Sequence, residues 1–346
     1  MASIREVARV AGVSIATVSR VINGAESVTP QVRRSVLAAI ESCGYAPAVG
    51  KRSPDSLAWM YAGLFTVGSP YDSSCLEGAV DTARRHGLDL TIVDVHRDMR
   101  ETEAFRQFFA RKGIRAAIVR CTADQRAMVA SMASEEIPVV VLGDHFRQSG
   151  LEFMYADSQR ASREAVEHLV AMGHQRIAYA ACERDDGDHL DRFEAYRSVL
   201  SDAGLFDERL VSRVPPYRMD GAQLLRNWMA MQARPTAVFI ADPLVAFGAI
   251  NEAHRTGVEL PDDLSIVGVD DCDLRDICYP RMTAVCQDAV QLGRSAADLA
   301  IALADGRSRK DAITSEPRAW FEVGNTSGPP PKQTVRVLPT GARVPV

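Results

Sequence analysis

The side chains of this chain that are best suited to recognition chemistry lie in residues 14–23. This run holds one long hydrogen-bonding side chain, Arg20, and two small apolar ones, Ile15 and Ala16. Arginine can donate two hydrogen bonds to guanine O6 and N7, worth about 1–3 kcal/mol of discrimination, whereas an apolar side chain offers contact to a thymine methyl. We therefore predict that Ile15, Ala16 and Arg20 contact base edges in DNA. The alternative for Arg20 is a phosphate contact, which positions a protein without specifying sequence.

Shorter polar side chains in the same run suit the DNA backbone: Ser14, Thr17, Ser19 and Asn23. Hydroxyl and amide groups commonly bind phosphate oxygens. We predict that all four belong to the DNA-binding surface, and that Thr17, Ser19 and Asn23 contact phosphates. Ser14 also lies where the N-cap of a helix is expected.

A helix-turn-helix is the element predicted to position these residues. Gly12 can adopt the positive φ of a sharp turn, and Thr29-Pro30 is typical of the start of a third helix, which we predict ends at Gly44. Apolar residues recur at helical spacing in three segments. The predicted inner faces are Ile4, Val7, Ala8 and Ala11; Val18, Val21 and Ile22; and Val32, Val36, Leu37 and Ile40. The alternative is a plain three-helix cap without DNA contacts.

The distribution of charge agrees with a DNA-binding head on a separate body. Residues 1–52 contain seven Lys and Arg against three Glu, whereas the remaining residues contain 33 basic and 42 acidic side chains. A net positive head attracts phosphates, while a net negative body is repelled by them.

The body is predicted to be α/β. From Trp59 onward, short β-branched runs alternate with helical stretches, which indicates parallel sheets covered by helices on both faces. A body of about 290 residues is larger than a single hydrophobic core usually supports, so we expect two lobes. The predicted strands are 62–67, 90–95, 116–120, 138–143, 176–181, 237–241 and 264–270.

Several classes of protein are not favoured by the sequence. The N-terminus has no apolar export segment and no run reaches 18 apolar residues, so we expect a cytoplasmic location. The seven cysteines are scattered without zinc-ligand spacing. We predict no metal, no cofactor and no catalytic residues, although an enzyme with a borrowed DNA-binding head is one alternative.

Residues 3–47 resemble the headpiece of the lactose-repressor/galactose-repressor (LacI/GalR) family of bacterial regulators. The shared features are the run Val13-Ser14-x-x-Thr17-Val18-Ser19-Arg20-Val21-x-Asn23-Gly24 and the ending Gly44-Tyr45-x-Pro47. The resemblance continues to about residue 324. Its landmarks include Glu167-His168-Leu169, Gly173-His174-x-Arg176-Ile177, Arg192-Phe193-Glu194-Ala195-Tyr196, Arg234-Pro235-Thr236-Ala237, Val267-Gly268-Val269-Asp270-Asp271 and Gly293-Arg294.

The resemblance implies a type I periplasmic-binding-protein-like core of two lobes joined by three crossovers, near residues 156–160, 284–288 and 318–322. It implies a headpiece over 1–47, a hinge over 48–58 and a core over 59–324. Lobe 1 is then about 59–156 with 288–318, and lobe 2 about 160–284 with 320–324. Residues 325–346 are polar and proline-rich without Leu heptads, so we expect a disordered tail and no tetramerising coil.

The same resemblance implies an effector in the cleft between the lobes. Arg192 matches the family arginine that grips the effector, and Asp270 and Asp242 match polar positions that bind it. Tyr71 and Asp72 lie in the first βα loop, where the family pattern is altered, and Tyr217 is an expected aromatic platform. Such a set suits a sugar, with a sugar acid or nucleoside as alternatives. The alternative for Arg192 is an interlobe salt bridge to Asp270 or Asp242.

The hinge departs from the family pattern. In relatives it reads like Asn-x-x-Ala-Arg-Ser-Leu, a short helix whose Leu wedges into the minor groove, but here Gly50 and Pro54 disfavour helix. We expect Lys51 and Arg52 to reach DNA and the hinge to kink it less than is usual. The alternative is that Pro54 itself intercalates.

Symmetry predicts a homodimer on a palindromic operator, because one headpiece makes few contacts. By resemblance, the dimer surface comes from helices around 73–86 and 101–112. We predict a transcriptional regulator, most simply a repressor, controlled by a small polar effector. The alternative is a regulator whose core responds to a protein partner.

Overall fold

The computed structural model describes residues 3–22, 28–43, 55–63, 67–101, 103–183, 186–314, 316–338 and 342–345. Contacts divide the chain into two compact units, residues 1–54 and 55–346, and each is described by itself. Among the described residues, no helix combines the length and apolarity needed to span a membrane.

The first unit contains three helices within its described residues: α1 (Ile4–Ala11), α2 (Ile15–Ile22) and α3 (Pro30–Cys43). Gly12 ends α1 at φ +65°, and its N–H donates to the carbonyls of Ala8 and Arg9. The predicted N-cap is confirmed, because Ser14 Oγ accepts from the Thr17 N–H at 3.1 Å.

The core of this head is built from Val7, Ala8, Val18, Val21, Val36 and Ala39. The prediction that Leu37 belongs to the inner face of α3 was wrong. Leu37 is 52% exposed, because Ala39 lies three residues from Val36 and takes the inward position. The predicted end of α3 at Gly44 lies outside the described residues.

The helices of the second unit cover two sheets. They are α4 (Pro70–Arg85), α5 (Val95–Asp98), α6 (Phe105–Lys112), α7 (Arg126–Ser134), α8 (Gln159–Ala171), α9 (Gly187–Asp202), α10 (Arg218–Ala230), α11 (Pro243–Thr256), α12 (Leu274–Ile277), α13 (Ala289–Ala304) and α14 (Arg309–Ala312), with 3-10 turns at Ala123–Gln125 and Glu208–Leu210. The strands are β1 (Ser56–Tyr61), β2 (Asp89–Asp94), β3 (Ile114–Arg120), β4 (Val139–Leu142), β5 (Glu152–Met154), β6 (Ile177–Cys182), β7 (Val211–Val214), β8 (Ala237–Ile240), β9 (Ser265–Asp270), β10 (Thr283–Gln287), β11 (Ala319–Glu322), β12 (Val335–Val337) and β13 (Arg343–Pro345).

Two sheets define two lobes. The first lobe has the strand order β2-β1-β3-β4-β5, all parallel. The second has the order β11-β10-β9-β8-β6-β7, parallel except for the antiparallel pair of β10 and β11. The predicted fold class, a helical head followed by a two-lobed α/β core with parallel sheets, is confirmed.

The first predicted strand was placed wrongly. It is β1, residues 56–61, and not residues 62–67, whereas the other six predicted strands are present within two residues of their expected bounds. The apolar run continues on both sides of residue 62, so periodicity alone does not locate the strand within it. Consequently residues 56–58 belong to β1 and not to the hinge; residues 48–54 lie outside the described residues.

Glycines allow the closest helix packing in each lobe. A Cβ on Gly78 of α4 would lie 1.9 Å from the Val290 carbonyl oxygen of α13, and one on Gly293 would lie 1.8 Å from the Cys75 carbonyl oxygen. In the second lobe, Cβ atoms on Gly221 of α10 and Gly248 of α11 would lie 1.9 and 2.0 Å from carbonyl oxygens of the facing helix. Backbone therefore touches backbone at both crossings.

The expected disordered tail is a wrong prediction. Thr326 is fully buried, and its Oγ1 donates to the Ile266 carbonyl at 2.7 Å and accepts from the Thr283 N–H at 2.9 Å. Further on, Arg234 Nε donates to the Val335 carbonyl at 2.6 Å, and β12 pairs with β13. The described part of the segment is ordered because its hydroxyl and backbone groups satisfy buried polar groups of the second lobe.

Candidate functional site

A cavity of about 280 Å³ lies between the two lobes. Its walls come from the residues that follow β3, β4, β6, β8 and β9 and from the first turns of α4, α9 and α11. In open α/β sheets this crevice, at the carboxyl ends of parallel strands, is the usual place for a ligand. The polar side chains of the walls are Ser69, Tyr71, Asp72, Arg120, Thr122, Asp186, Asp188, His189, Arg192, Tyr217, Asp242 and Asp271.

The wall from the first lobe is organised around a buried ion pair. Arg120 Nε donates to Asp72 Oδ1 at 2.8 Å, and both side chains are less than one-tenth exposed. The Arg120 guanidinium also lies 4.7 Å from the centre of the Tyr71 ring. Tyr71 and Asp72 belong to the first turn of α4, capped by Ser69, and not to a loop as the sequence suggested.

The first turn of α9 supplies most of the opposite wall. Asp186 caps this helix by accepting from the His189 N–H, and its Oδ1 also lies 2.8 Å from His189 Nδ1. Burial alone would raise the pKa of Asp186, but the charge of His189 outweighs it and holds that pKa at about 2. Burial, with the neighbouring Asp186 carboxylate, raises the pKa of Asp188 to about 7.

Arg192 follows one turn later on α9, where the sequence predicted an effector contact. It is 4% exposed, and its Nη1 donates to the Ala241 carbonyl at 3.1 Å. Its Nε is buried without a hydrogen-bond partner among the described residues, as is Asp188 Oδ1. Buried polar atoms are normally paired, so these two atoms indicate where a ligand would bind.

The structure replaces one predicted cleft residue by its neighbour. Asp270 does not line the cavity: it accepts from the Leu274 N–H at 2.8 Å and from Arg275 Nη1 at 2.7 Å, so the structure does not bring it into the cleft as predicted. Asp271 lines the cavity and accepts from Gln287 Nε2 at 2.5 Å. Burial raises the pKa of Asp271 to about 6.

Asp242 and Tyr217 line the cavity as the sequence predicted. Asp242 caps α11 by accepting from the Val245 N–H at 3.0 Å, and burial raises its pKa. Tyr217 precedes α10 and is 51% exposed at the rim. Sequence reasoning missed Arg120, Asp186, Asp188 and His189. Their signal was available, because charged residues directly after buried strands, or at the start of the next helix, collect at one edge of a sheet.

Two polar contacts join the lobes beside the cavity. The Gly187 N–H donates to Asp144 Oδ1 at 2.7 Å, and Asp144 is also paired with Arg126. Next to it, His145 Nε2 lies 3.0 Å from Asp191 Oδ2. A Cβ on Gly187 would lie 2.5 Å from the His145 ring, so this close approach requires glycine.

His145, which contacts Asp191 across the lobes, should make the stability of the folded protein depend on pH. The hydrogen bond to Asp191 raises the pKa of His145 against the opposing effect of burial. A raised histidine pKa gives stability that is complete below the unfolded pKa and is lost as pH rises through the folded pKa. We expect His145→Gln to lower the melting temperature at about pH 6 and to have little effect at about pH 8.5. An equal loss at both pH values would contradict an ionic contact.

The helical head presents the residues predicted to contact bases. Ile15 is 45% exposed, and Ala16 and Arg20 are also exposed on α2. Ser14 is exposed, Thr17 and Ser19 are partly buried, and the Thr17 hydroxyl lies 2.8 Å from that of Ser14. Asn23, Lys51, Arg52 and Pro54 lie outside the described residues. Across the part of the chain that is described, no group of His, Cys, Asp and Glu could hold a metal ion.

Comparison with known proteins decides the family. Residues 3–48 match the family described as bacterial regulatory proteins, lacI family, and residues 166–320 match the periplasmic binding protein-like domain. The chain is 30% identical over 311 residues to the HTH-type transcriptional regulator GalR of Escherichia coli (strain K12), which spans 89% of this chain and 90% of GalR. The chain belongs to the LacI family. It is a DNA-binding transcriptional regulator, as predicted, and not an enzyme.

Other LacI-family proteins match over similar lengths. The HTH-type transcriptional repressor PurR of Mannheimia succiniciproducens is 27% identical over 308 residues, 86% of this chain and 90% of PurR. A solved complex of the transcriptional regulator CelR with cellobiose has a TM-score of 0.64 at 27% identity, covering 94% of this chain and 100% of CelR. The Lac repressor dimer bound to operator and the anti-inducer ONPF shares the fold, with a TM-score of 0.68 at 23% identity, covering 94% and 99%.

Proposed function

We propose that this LacI-family regulator acts as a repressor that binds a palindromic operator as a homodimer. In this proposal residues 1–47 form the DNA-binding headpiece and a sugar-like effector binds between the lobes. The observation that carries the effector site is the interlobe cavity with two buried polar atoms that have no hydrogen-bond partner among the described residues, Arg192 Nε and Asp188 Oδ1. Enclosed clefts with a few fixed polar groups are typical of small-molecule sites.

The α2 surface supports the proposed recognition of DNA. In a helix-turn-helix, the N-terminal residues of the second helix contact base edges, and Ile15 and Ala16 are exposed at this end with Arg20 one turn later. The cap formed by Ser14 leaves the start of α2 ordered without covering these side chains. Thr17, Ser19 and Asn23 remain the proposed phosphate contacts, and Lys51, Arg52 and Pro54 the proposed hinge contacts.

The role of Arg20 can be tested by base preference. We expect Arg20→Ala to relax the preference at one symmetric base pair in each half-site, a loss of about 1–3 kcal/mol of discrimination. Selection from randomised operators, followed by anisotropy titration of the selected and substituted sites, measures this directly. Arg33→Ala on α3 is a control for lost positive charge. Uniform weakening on all sequences would instead support the phosphate contact.

The proposed effector contacts join both lobes. Tyr71 and Asp72 lie in one wall, and Arg192, Asp242 and Tyr217 in the other, with Asp271 in place of the expected Asp270. A ligand that bridges the two walls favours the closed arrangement of the lobes, and only such a difference in affinity can shift an equilibrium. Lobe closure is therefore the proposed link to operator binding.

A screen of purified protein tests this function. Sugars, aminated sugars, sugar acids and nucleosides are added to the protein, and thermal melting and operator anisotropy are measured together. We expect a compound that raises the melting temperature also to change operator affinity. If no small molecule does either, while a protein partner changes operator binding, the protein-responsive alternative is supported instead.

Exposed apolar side chains are present on both lobes of the proposed homodimer. Val80 on α4 is 36% exposed beside the ion pair of Asp81 and Arg294. On the second lobe, Ile277 and Tyr279 are 72% and 81% exposed. Because single exposed apolar side chains are common on any protein, the proposed homodimer is supported chiefly by the symmetry of operator binding. The predicted surface around 101–112, which includes α6, remains part of the proposal.

A further inference from the structure

Acidic side chains outnumber basic ones in the walls of the interlobe cavity. Its carboxylates are Asp72, Asp186, Asp188, Asp242 and Asp271, and its cationic side chains are Arg120, Arg192 and His189. An enclosed site concentrates the effect of such an imbalance, because charges interact more strongly away from bulk water. The charge of the effector can therefore be inferred from how these groups are paired.

Two of the three cations are already occupied by carboxylates. Arg120 is paired with Asp72 at 2.8 Å, and His189 Nδ1 lies 2.8 Å from Asp186 Oδ1. Arg192 is left to balance the remaining carboxylates, and both Asp188 and Asp271 act on it electrostatically. The cavity therefore lacks at least one positive charge when all of its carboxylates are ionised.

Asp188 is the carboxylate that most clearly lacks a hydrogen-bond donor among the described residues. The residue is 4% exposed, it lines the cavity, and its Oδ1 has no hydrogen-bond partner among the described residues. A buried carboxylate oxygen without a donor is costly, and the cost is removed when a ligand supplies one. A positively charged donor would supply both the hydrogen bond that Asp188 Oδ1 lacks and the positive charge that the cavity lacks.

We propose that the effector is a polyhydroxylated amine whose ammonium group donates a hydrogen bond to Asp188 Oδ1. This inference rests on the proposed function of the cavity as the effector site. The Tyr217 ring offers a face for a sugar-like ring, while Arg192 Nε, buried without a hydrogen-bond partner among the described residues, offers a donor to its hydroxyl groups. An anionic sugar acid is disfavoured because it would add a negative charge to this site.

The raised pKa values of two carboxyl groups in the cavity support the same conclusion. Burial raises the pKa of Asp188 to about 7 and that of Asp271 to about 6, so both retain protons more readily than exposed carboxyls. Binding of a cation favours their ionised forms and should release protons. The charged and titratable groups that act on Asp188 are Asp186, His189 and Arg192 of its own helix and Tyr71, Arg120, His145 and Tyr155 of the first lobe.

The test is calorimetric titration of the full chain with matched ligands. The probes are D-glucosamine, D-galactosamine, D-mannosamine and 1-amino-1-deoxy-D-sorbitol, each beside its neutral parent and, for the hexoses, the uronic acid. We expect at least one amine to bind tenfold or more tightly than its parent at about pH 6.5, where the ammonium groups are charged and Asp188 still retains part of its proton, with proton release detected in two buffers of different ionisation enthalpy. Below about pH 6 its affinity should fall, as Asp188 and Asp271 become protonated.

A variant pair tests whether Asp188 is the contact. Asp188→Asn removes the charge inside the cavity, whereas Asp202→Asn removes the same charge from an exposed position at the end of the same helix. We expect Asp188→Asn to reduce the preference for the amine over its parent to less than threefold, with most of the proton release lost. Asp202→Asn should retain both.

Two results would overturn the inference. Tighter binding of a neutral parent or a uronic acid would overturn the amine while leaving the effector function in place. Failure of every amine in the panel would overturn it as well, and the wider screen then decides the proposed function separately. That function fails only if no compound of any charge changes operator binding.

Discussion

Replacing Arg192 by alanine is expected to abolish the effector response, raising the effector concentration needed to change operator binding by at least about 30-fold. Arg192 is 4% exposed, both Asp188 and Asp271 act on it electrostatically, and its Nε has no hydrogen-bond partner among the described residues. Its loss removes from the cavity the hydrogen-bond donor that is proposed to hold the effector's hydroxyl groups. Operator anisotropy over an effector titration measures the change.

Two further variants separate the effector contact from a structural role. Arg197→Ala lies on the same helix, is exposed and pairs with Glu194, so it should leave the response unchanged. Arg192→Lys keeps the charge but not the geometry of the guanidinium, and we expect it to retain the fold with a weakened response. If Arg192→Ala instead lost operator binding without effector present, a structural role would be supported.

Deletion of residues 325–346 is expected to prevent the second lobe from folding stably. The segment contributes buried hydrogen bonds to β9 and β10 through Thr326, Ser327 and Gly328. His174, fully buried, also loses the Gly328 carbonyl that lies 2.9 Å from its Nε2. Each polar group left buried and unpaired costs about 1–3 kcal/mol, so several together exceed a large part of the stability of a domain. Soluble yield and cooperative melting measure the result.

A single substitution provides a graded version of the same experiment. Thr326→Val keeps the volume but removes the hydroxyl that bridges the Thr283 N–H and the Ile266 carbonyl. We expect the melting temperature to fall by roughly 5 °C. Thr314→Val, at an exposed position, is the control. A wild-type melting temperature for Thr326→Val would show that the tail does not stabilise the lobe.

The sequence predicts the parts of the fold that local patterns control. Alternating strands and helices predicted both sheets, and Gly12 with Ser14 predicted the turn between α1 and α2, because these signals depend on neighbours in the chain. The cleft residues Arg192, Asp242 and Tyr217 followed from the family resemblance. The expected place of Asp270 in the cleft was not observed. Asp270 and Asp271 are adjacent at the end of β9 and differ only in which side of the strand they face.

Residues whose role depends on distant partners were not predictable in this way. Thr326 is polar, and it follows Gly324 and precedes three prolines, a composition typical of a linker. Its burial depends on backbone groups of β9 and β10 that it pairs with and that lie more than 40 residues earlier in the chain. For Arg120 the sequence offers a position at the end of a buried strand, but its ion pair depends on Asp72, 48 residues away.

The paired glycines at the two helix crossings have a consequence for how an effector signal travels. Helices whose backbones touch cannot slide past each other without collision, so α4 with α13 and α10 with α11 each behave as one stiff block. Strain produced by a bound ligand then cannot dissipate inside either block. We therefore expect it to be passed on as a change in the angle between the two lobes.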